Sequence, residues 1–412
     1  MVGALAVLSV VVQLVRQSGV ESWRTIWAED GGIFYSGTPT VVHLLDPNGD
    51  YAQLVPRMLG LLGHSVALHD LPWYYAIAGA VVTTACAAAV WWFARQLVPS
   101  IVLRGVLTAS VILLPTLVLE QLANGVNTIW ALTFTAWWAV VYRPRSILDA
   151  TAPAIVVFLA VLSQALALAY APVVAYAAWR HRDRPTYLVA GGFAVAAVVQ
   201  LVVIATATDH TGVADRNLHQ LPQIFSTRVV ASMLISEQHV RGAWANLGHA
   251  LPVLAVVVVG AALTALFVVT CRGRGFAVVA LLYAGGLYFG SLWRRGTVDE
   301  TLGVVYHSVA TRYSSLSIWM LLSALCILAA NSRVRARAVA TTTIVVWFVV
   351  TSLLGFRGSN PRSDGTTWAT SLRNAAVLCT PRRAQIHVLV VPEANLYAIP
   401  VSCDELRRAS RR

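Results

Sequence analysis

Residues 251–270 read LPVLAVVVVGAALTALFVVT, an apolar stretch without a charged side chain. About 20 apolar residues are long enough to cross the hydrocarbon core of a bilayer as a helix. The composition agrees with this interpretation, because 58% of the 412 residues are hydrophobic and only 12% are charged. Soluble domains carry about 25% charged residues. The sequence therefore predicts a polytopic membrane protein rather than a soluble one.

Stretches of similar character recur along the chain and predict an all-α fold with about eleven transmembrane helices. They lie at 2–15, 72–94, 101–119, 127–142, 150–164, 166–179, 186–207, 251–270, 276–293, 314–331 and 338–355. We expect the fifth and sixth to form a tight hairpin that turns around Ser163 and Gln164. The expected domains are a transmembrane domain, 1–355, with a first outer loop at 16–71, and a small C-terminal module at 356–412.

The arginines indicate the orientation of these helices. All 30 basic residues are arginine, and the net charge is +12. They cluster in short loops after alternate spans, which is how membrane topology is set and not how nucleic acid is held. We therefore expect a multi-pass protein of the plasma membrane that binds no nucleic acid. Its amino terminus is cytoplasmic, and the loops 16–71, 208–250 and 294–313 and the C-terminal tail lie outside.

Cysteine placement is consistent with this topology. Three of the five cysteines fall in spans or at a cytoplasmic edge: Cys86, Cys271 and Cys326. Cys379 and Cys403 lie in the external tail, where an oxidising compartment permits a disulfide. We predict that these two pair, with a stabilisation of about 3 kcal/mol. The tail also alternates like a strand at residues 386–391 and continues at 396–400.

An acidic pair, Glu29 and Asp30, follows the first span and is followed by Gly31 and Gly32. Acids at a membrane surface are candidates for function. The alternative is that they are solvated loop charges or a helix N-cap. We take Asp30 as the first candidate for a catalytic base, because the glycines would allow a substrate to approach closely, and Glu29 as the second. Tyr51, later in the same loop, is a candidate substrate contact.

From Leu54 onward, apolar residues recur at helical spacing and predict an amphipathic helix in the plane of the membrane interface. Pro56 is compatible with this helix only in its first turn. Arg57 has two interpretations of equal weight. It either contacts lipid headgroups by snorkelling or binds a phosphate of the substrate.

A second outer loop, 120–127, is unusually polar. Glu120, Asn124 and Asn127 are spaced to share one face of a helix, where they could bind sugar hydroxyls. For Asn127 we favour an N-cap of the helix that begins near Thr128. For Glu120 and Asn124 we favour substrate binding.

Arg312 and Tyr313 stand at the mouth of the tenth span. They could clamp a phosphate and stack on a sugar or prenyl chain. They could equally be an interfacial anchor. The loop 208–250, which includes Glu237, has residue types found among metal ligands but no metal spacing, and we interpret it as a solvated loop.

Several motifs are missing from the sequence. It has no phosphate-binding loop of the Walker type, no paired-cysteine zinc pattern, no His-Glu-x-x-His and no dinucleotide glycine fingerprint. Nucleotide hydrolysis is therefore not expected. No metal site is defined, and the cofactor is left unassigned.

The arrangement resembles the GT-C superfamily of integral-membrane glycosyltransferases. The features that carry the resemblance are a first span, a large outer loop with the acidic pair Glu29-Asp30, and a juxtamembrane helix with Pro56-Arg57. It is closest to actinobacterial multi-span proteins with the same Glu-Asp-Gly stretch. The 120–127 loop and Arg312-Tyr313 look like further outer-face elements of that superfamily, in which some members require a divalent metal.

The resemblance implies a polyprenyl-phosphate sugar as donor and a cell-envelope glycan, lipid or protein as acceptor. The catalytic carboxylate would come from the first outer loop, and Arg57 and Arg312 would stabilise the leaving lipid phosphate. Two other classes of function remain. A flippase or transporter of lipid-linked glycans would need ionisable residues within the spans, which are nearly free of them. A non-catalytic scaffold for envelope enzymes would have much the same sequence.

Overall fold

The computed structural model describes residues 2–37, 40–208, 220–295, 311–358, 360, 362–380, 384–392 and 397–409. The chain is mostly helical, with few strands. The longer helices coincide with the apolar stretches of the sequence. Helix formation by those stretches therefore accounts for most of the architecture.

The described α-helices are, in chain order, α1 (Val2–Val15), α2 (Leu54–Gly63), α3 (Leu71–Phe93), α4 (Ile101–Leu113), α5 (Leu117–Glu120), α6 (Thr128–Val141), α7 (Ile147–Ser163), α8 (Ala171–His181), α9 (Arg184–Thr206), α10 (Leu221–Phe225), α11 (Ser232–Ile235), α12 (Glu237–Leu247), α13 (Ala250–Val269), α14 (Arg274–Arg295), α15 (Thr311–Ala330), α16 (Val334–Leu354), α17 (Trp368–Val377) and α18 (Cys403–Ala409). Two segments are π-helical, Asp30–Tyr35 and Ser226–Ala231. The described strands are β1 (Pro47–Asn48), β2 (Tyr51–Ala52), β3 (Gln385–Leu389) and β4 (Ala398–Ser402), and they form two antiparallel pairs, β1–β2 and β3–β4.

Six of the described helices are long and apolar enough to cross a membrane: α3, α9, α13, α14, α15 and α16. This is the architecture of a multi-pass membrane protein. The other five predicted spans coincide with shorter helices, α1, α4, α6, α7 and α8.

Two predicted spans differ from the structure in their boundaries. The span 101–119 was predicted too long, because α4 ends at Leu113 and the chain resumes as the four-residue α5. Pro115 explains the break, since it has no N–H to donate and disfavours helical geometry at the residue before it. In the predicted hairpin, α7 ends at Ser163 and Gln164 is extended. The following segment, 165–170, is a 3-10 helix and α8 begins only at Ala171.

Helices α6 and α15 form the centre of the bundle. The span of α15 is wholly buried within the protein, and nearly every residue of α6 is buried. Trp319 of α15 stacks on Phe134 of α6, with ring centroids 5.1 Å apart. Its indole N–H donates to the carbonyl of Ser110 in α4 at 3.1 Å. The amino-terminal ends of these two central helices carry the 120–127 loop and Arg312, which brings these two polar segments to the same end of the bundle.

Arg16, at the end of α1, joins the carboxyl ends of two other helices. Its side chain is fully buried and donates to carbonyls of Ile112, Leu113 and Leu114 at the end of α4. It also donates to the carbonyls of Gly355 and Phe356, just after α16. The last carbonyls of a helix have no partner within that helix. The guanidinium of Arg16 therefore supplies the missing donors for both helices.

The C-terminal segment packs on the chain just before the acidic pair. The backbone N–H of Val391 donates to the carbonyl of Ile26 at 3.1 Å, and the N–H of Ala28 donates to the carbonyl of Val391 at 2.7 Å. A disulfide joins Cys379 to Cys403, whose Cα atoms are 5.6 Å apart. Strands β3 and β4, next to this disulfide, form the predicted strand pattern of the tail.

The interpretation of 208–250 as a solvated loop was wrong for its described part, 220–250. This segment is largely helical, and within it Arg228 and Glu237 form a buried ion pair with an N–O distance of 2.8 Å. Residues 209–219 lie outside the described residues. The buried pair was missed because its two members are nine positions apart on different helical segments, and no spacing rule links them.

Candidate functional site

Asp30 begins the π-helical turn and is held by the 120–127 loop. Its two carboxylate oxygens accept hydrogen bonds from the backbone N–H groups of Gly125 and Val126, at 2.8 and 2.7 Å. The side chain is only 1% exposed. A β-carbon at Gly125 would lie 3.0 Å from a carboxylate oxygen, so the absence of a side chain there permits the close approach. Asp30 thus fixes the loop against the acidic motif.

Burial raises the pKa of Asp30 from 3.8 to about 7. The two backbone hydrogen bonds and the charge of Arg362 oppose this rise, and the charge of Glu29 adds to it. Desolvation is the largest cause, because removing a carboxylate from water disfavours its charged form. Asp30 therefore changes its charge near neutral pH.

Glu29 is the more accessible of the two acids. Its side chain is 15% exposed and forms an ion pair with Arg312, with an N–O distance of 3.4 Å. Its second oxygen, Oε2, is buried and accepts no hydrogen bond within the described part of the chain. A buried acceptor without a partner is costly and marks a site where another group can bind. Glu29 precedes the π-helix but its side chain makes no cap hydrogen bond, so the N-cap interpretation does not hold.

Arg312 lies between two acids. Its backbone N–H donates to Oε2 of Glu120 at 3.2 Å, while its guanidinium bonds Glu29. The guanidinium also lies 5.6 Å from the ring of Tyr313, which meets Trp130 of α6 edge to face at 5.3 Å. Residues predicted from three different parts of the sequence therefore form one cluster: Glu29, Glu120 and the pair Arg312-Tyr313.

The side chain of Asn124 is used within the 120–127 loop. Asn124 is 1% exposed, and its amide N–H donates to the carbonyls of Glu120 and Leu122. Its oxygen accepts from the backbone N–H of Asn127. The prediction that Asn124 binds substrate is therefore not supported by its geometry, because every polar atom of the amide is used within the loop.

Asn127 lies at the predicted N-cap position of α6, but its side chain does not form the predicted cap hydrogen bond. It instead donates to the carbonyl of Glu120 at 2.9 Å. Both asparagines thus hold the 120–127 loop in shape. They orient Glu120 and the N–H groups that bind Asp30.

Arg362 is a site residue that the sequence analysis missed. It is 1% exposed and donates to the carbonyls of Leu122, Ala123, Ser22 and Thr25. It therefore ties the segment before the acidic pair to the 120–127 loop. Burial lowers its pKa to about 10, so it stays charged at neutral pH and its charge acts on Asp30. The available signal was an arginine in a predicted outer tail, where the positive-inside rule does not require one.

The side-chain contacts of Arg57 are with residues outside this cluster. Arg57 is on α2, and its guanidinium donates to the carbonyls of Asp46 and Pro47 at 2.8 and 3.3 Å and lies 5.8 Å from the ring of Phe34. Among the described residues it forms no ion pair with either acid of the motif. Tyr51 is buried in β2, which is anchored to α9 by Gln200 through the backbone of Ala52. The predicted convergence of Arg57 with Arg312 is not seen.

The predicted amphipathic helix is present as α2, and Pro56 is in its first turn. Its Val55 and Leu59 are buried, whereas Met58 and Leu62 are exposed. Part of the apolar face predicted to lie in lipid thus packs on protein.

Gly31 and Gly32 serve a different purpose from the predicted one. A β-carbon at Gly32 would lie 2.8 Å from the side chain of Tyr397, and one at Gly31 would lie 2.9 Å from Val390. The glycines therefore admit the C-terminal segment, not a substrate. Only a residue without a β-carbon allows the tail to pack this closely on the acidic motif.

No group of three or more His, Cys, Asp or Glu side chains arranged to hold a metal occurs among the described residues. The acids of the cluster are each engaged with arginine or backbone groups. Comparison of the chain with protein-family models, curated proteins and solved structures finds no match.

Proposed function

We propose that the protein is a membrane glycosyltransferase of the GT-C type, which transfers a sugar from a polyprenyl-phosphate donor to a cell-envelope acceptor. The proposal includes about eleven membrane crossings, a cytoplasmic amino terminus and a C-terminal module outside the plasma membrane. In that topology the acidic pair and Arg312 share the extracytoplasmic face. Nucleotide sugars are cytoplasmic, so a site on this face favours a lipid-linked donor.

One observation carries the proposal. Glu29 and Arg312 form a largely buried ion pair, and the buried Oε2 of Glu29 has no hydrogen-bond partner within the described residues. A base and a cation side by side are what sugar transfer from a phosphate requires. The base accepts the proton of the attacking hydroxyl, and the cation stabilises the charge that develops on the phosphate.

In this proposal the base is Glu29 rather than Asp30, for two reasons. Both oxygens of Asp30 accept backbone hydrogen bonds and the side chain is almost fully buried. Glu29 has an oxygen without a hydrogen-bond partner, and its side chain is 15% exposed. Asp30 is then a positioning residue, which holds the 120–127 loop and with it Glu120 against Arg312.

In the proposed reaction, Glu29 accepts the proton of an acceptor hydroxyl while the oxygen of that hydroxyl attacks the anomeric carbon of the donor sugar. The bond between that carbon and the phosphate oxygen breaks, and its electron pair stays on the phosphate. Arg312 stabilises this charge. A single displacement inverts the configuration at the anomeric carbon.

The test uses full-length protein in proteoliposomes with radiolabelled polyprenyl-phosphate sugars and an envelope extract as acceptor. We expect wild-type protein to transfer label, and Arg312→Gln to lower the rate at least about 100-fold. Arg357→Gln is the matched control, because Arg357 is exposed and its side chain is outside the cluster. Transfer only from nucleotide sugars, movement of the donor across the bilayer without transfer, or an Arg312→Gln rate equal to wild type would each refute the proposal.

A further inference from the structure

A second site lies at the far end of α15 from Arg312, where that helix ends and α16 begins. An open cleft of about 540 Å³ lies there between the residues that lead into α4 and the first two turns of α16. This volume is within the range of about 300–1,000 Å³ found for small-molecule pockets. We define the α4–α16 cleft by the lining residues Pro99, Ser100, Val334, Arg337, Ala338 and Thr341.

The two walls of the cleft are fixed by hydrogen bonds. The side-chain amide of Asn331, just after α15, donates to the carbonyl of Leu97, just before α4, at 2.8 Å. Ser100 caps α4, where its hydroxyl oxygen accepts from the backbone N–H of Leu103. On α16, the lining residues are spaced three and four positions apart, so they form one face of the helix. The space between the walls is therefore set by the packing of the helices.

The cleft carries a positive charge that has no partner in the described part of the chain. Arg333, Arg335 and Arg337 are exposed, and no hydrogen bond, ion pair or ring contact of their side chains occurs among the described residues. The segments that form the walls, 94–113 and 327–354, contain neither aspartate nor glutamate. Of the three arginines, Arg337 lines the cleft. Its guanidinium is thus available to an anion.

The surroundings of the cleft favour a lipid over a soluble anion as its occupant. Ile101 of α4 and Val339 of α16, next to the lining residues, are 67% and 69% exposed, as expected for side chains that face acyl chains. Trp92, at the end of α3, is 52% exposed, and exposed tryptophan at the end of a membrane helix lies at the level of the lipid headgroups. The cleft therefore has a cation at the headgroup level and apolar surface beside it.

We propose that the α4–α16 cleft binds an anionic phospholipid, with the phosphate on Arg337 and the ester groups beside Thr341, one helical turn further along α16. A guanidinium without a partner binds a phosphate by charge-assisted hydrogen bonds. An anionic headgroup is selected over a zwitterionic one, because the cation of a choline headgroup would lie near Arg333 and Arg335. The site is independent of the proposed transferase reaction, since the length of α15 separates it from Arg312.

Native mass spectrometry of the full-length protein in detergent tests this proposal. The probes are phosphatidylglycerol, phosphatidylcholine with the same acyl chains, and inorganic phosphate. We expect phosphatidylglycerol to bind about tenfold or more tightly than phosphatidylcholine, and Arg337→Gln to remove that preference. Arg335→Gln is the matched control, since it removes the same charge from the same turn of α16 but does not line the cleft.

A second pair of variants tests the space in the cleft. Ala338→Phe places a ring in the cleft and should weaken binding of phosphatidylglycerol, whereas Val339→Phe adds a ring outside it and should not. Monodisperse elution and an unchanged helical circular dichroism spectrum show that each variant is folded. Equal binding of the two lipids, equal effects of Arg337→Gln and Arg335→Gln, equal effects of the two phenylalanine variants, or displacement of phosphatidylglycerol by inorganic phosphate would each overturn the proposal.

Discussion

At the scale of single residues, the two neighbouring acids differ because their surroundings differ. Asp30 is enclosed and both of its oxygens accept backbone hydrogen bonds, whereas Glu29 is partly exposed and paired with Arg312. Sequence alone ranks Asp30 first, because glycines follow it. In the proposed reaction the order of the two candidate bases is reversed, because the glycines leave room for Tyr397 and Val390 and not for a substrate beside Asp30. Which member of an acidic pair is accessible depends on distant segments that the local sequence does not specify.

The raised pKa of Asp30 predicts how stability depends on pH. In the folded state its pKa is about 7, above the ordinary value of 3.8, so the folded state binds the proton more tightly than the unfolded state. The contribution to stability is therefore present below about pH 4 and is lost as pH rises to about 7. A pKa rise of this size corresponds to a change of about 4 kcal/mol in the free energy of unfolding.

The measurement is the thermal midpoint of wild type and of Asp30→Asn in the same detergent between pH 4 and pH 8. Subtracting the midpoint of the variant from that of wild type at each pH removes the contribution of the titrating groups that both proteins share. We expect the wild type to lose stability relative to the variant as pH rises to about 7 and to change little above that. A difference that is independent of pH would contradict the assignment.

At the scale of elements, apolar length and proline position explain most of the helices. All eleven predicted spans coincide with helical segments, and the break after α4 follows from Pro115. The lengths of the shorter helices and the 3-10 start of α8 were not predictable, because hydropathy does not distinguish a helix buried in protein from one that faces lipid. The buried ion pair of Arg228 and Glu237 was missed for another reason, because its members lie on different helical segments that no spacing rule links.

Arg16 gives a prediction at this scale. It donates to the terminal carbonyls of two helices and is fully buried. Arg16→Met should lower the free energy of unfolding by about 3 kcal/mol or more, because several buried carbonyls lose their donor. Thermal or denaturant unfolding of the detergent-solubilised protein measures the effect.

Arg24→Gln is the matched control. Arg24 forms an exposed ion pair with Glu21 at 3.4 Å, and exposed pairs contribute about 1 kcal/mol or less. If Arg16→Met were as stable as Arg24→Gln, the joining role of Arg16 would be wrong.

At the scale of the whole molecule, the C-terminal segment completes the site from the far end of the sequence. Val391 pairs with the backbone on either side of Trp27, and Arg362 ties the same region to the 120–127 loop. The resemblance placed the acidic pair and Arg312 around one donor phosphate, and Glu120 was predicted as a further substrate contact. The sequence could not predict that Glu120 bonds the backbone of Arg312, or that Arg362 supports the site, because these contacts join segments up to several hundred residues apart.

Removal of the disulfide tests the role of the tail. The bridge spans a sequence separation of 24 residues. Replacing both Cys379 and Cys403 by serine should destabilise the tail by about 3 kcal/mol in the loop-entropy view. Hydrogen exchange should then become faster at Ala28 and Val391, whose N–H groups donate the two hydrogen bonds between the tail and the chain before the acidic pair. Unchanged protection at these two residues would show that the tail stays in place without the bridge.

The most direct test of the central claim is the initial rate of sugar transfer by Glu29→Gln in proteoliposomes, measured beside wild type with the same polyprenyl-phosphate donor. Glutamine keeps the size of the side chain and removes its ability to accept the proton. We predict that the rate falls by about 10²- to 10⁴-fold, the usual contribution of a general base. Transfer by Glu29→Gln at the wild-type rate would contradict the assignment of Glu29 as the catalytic base.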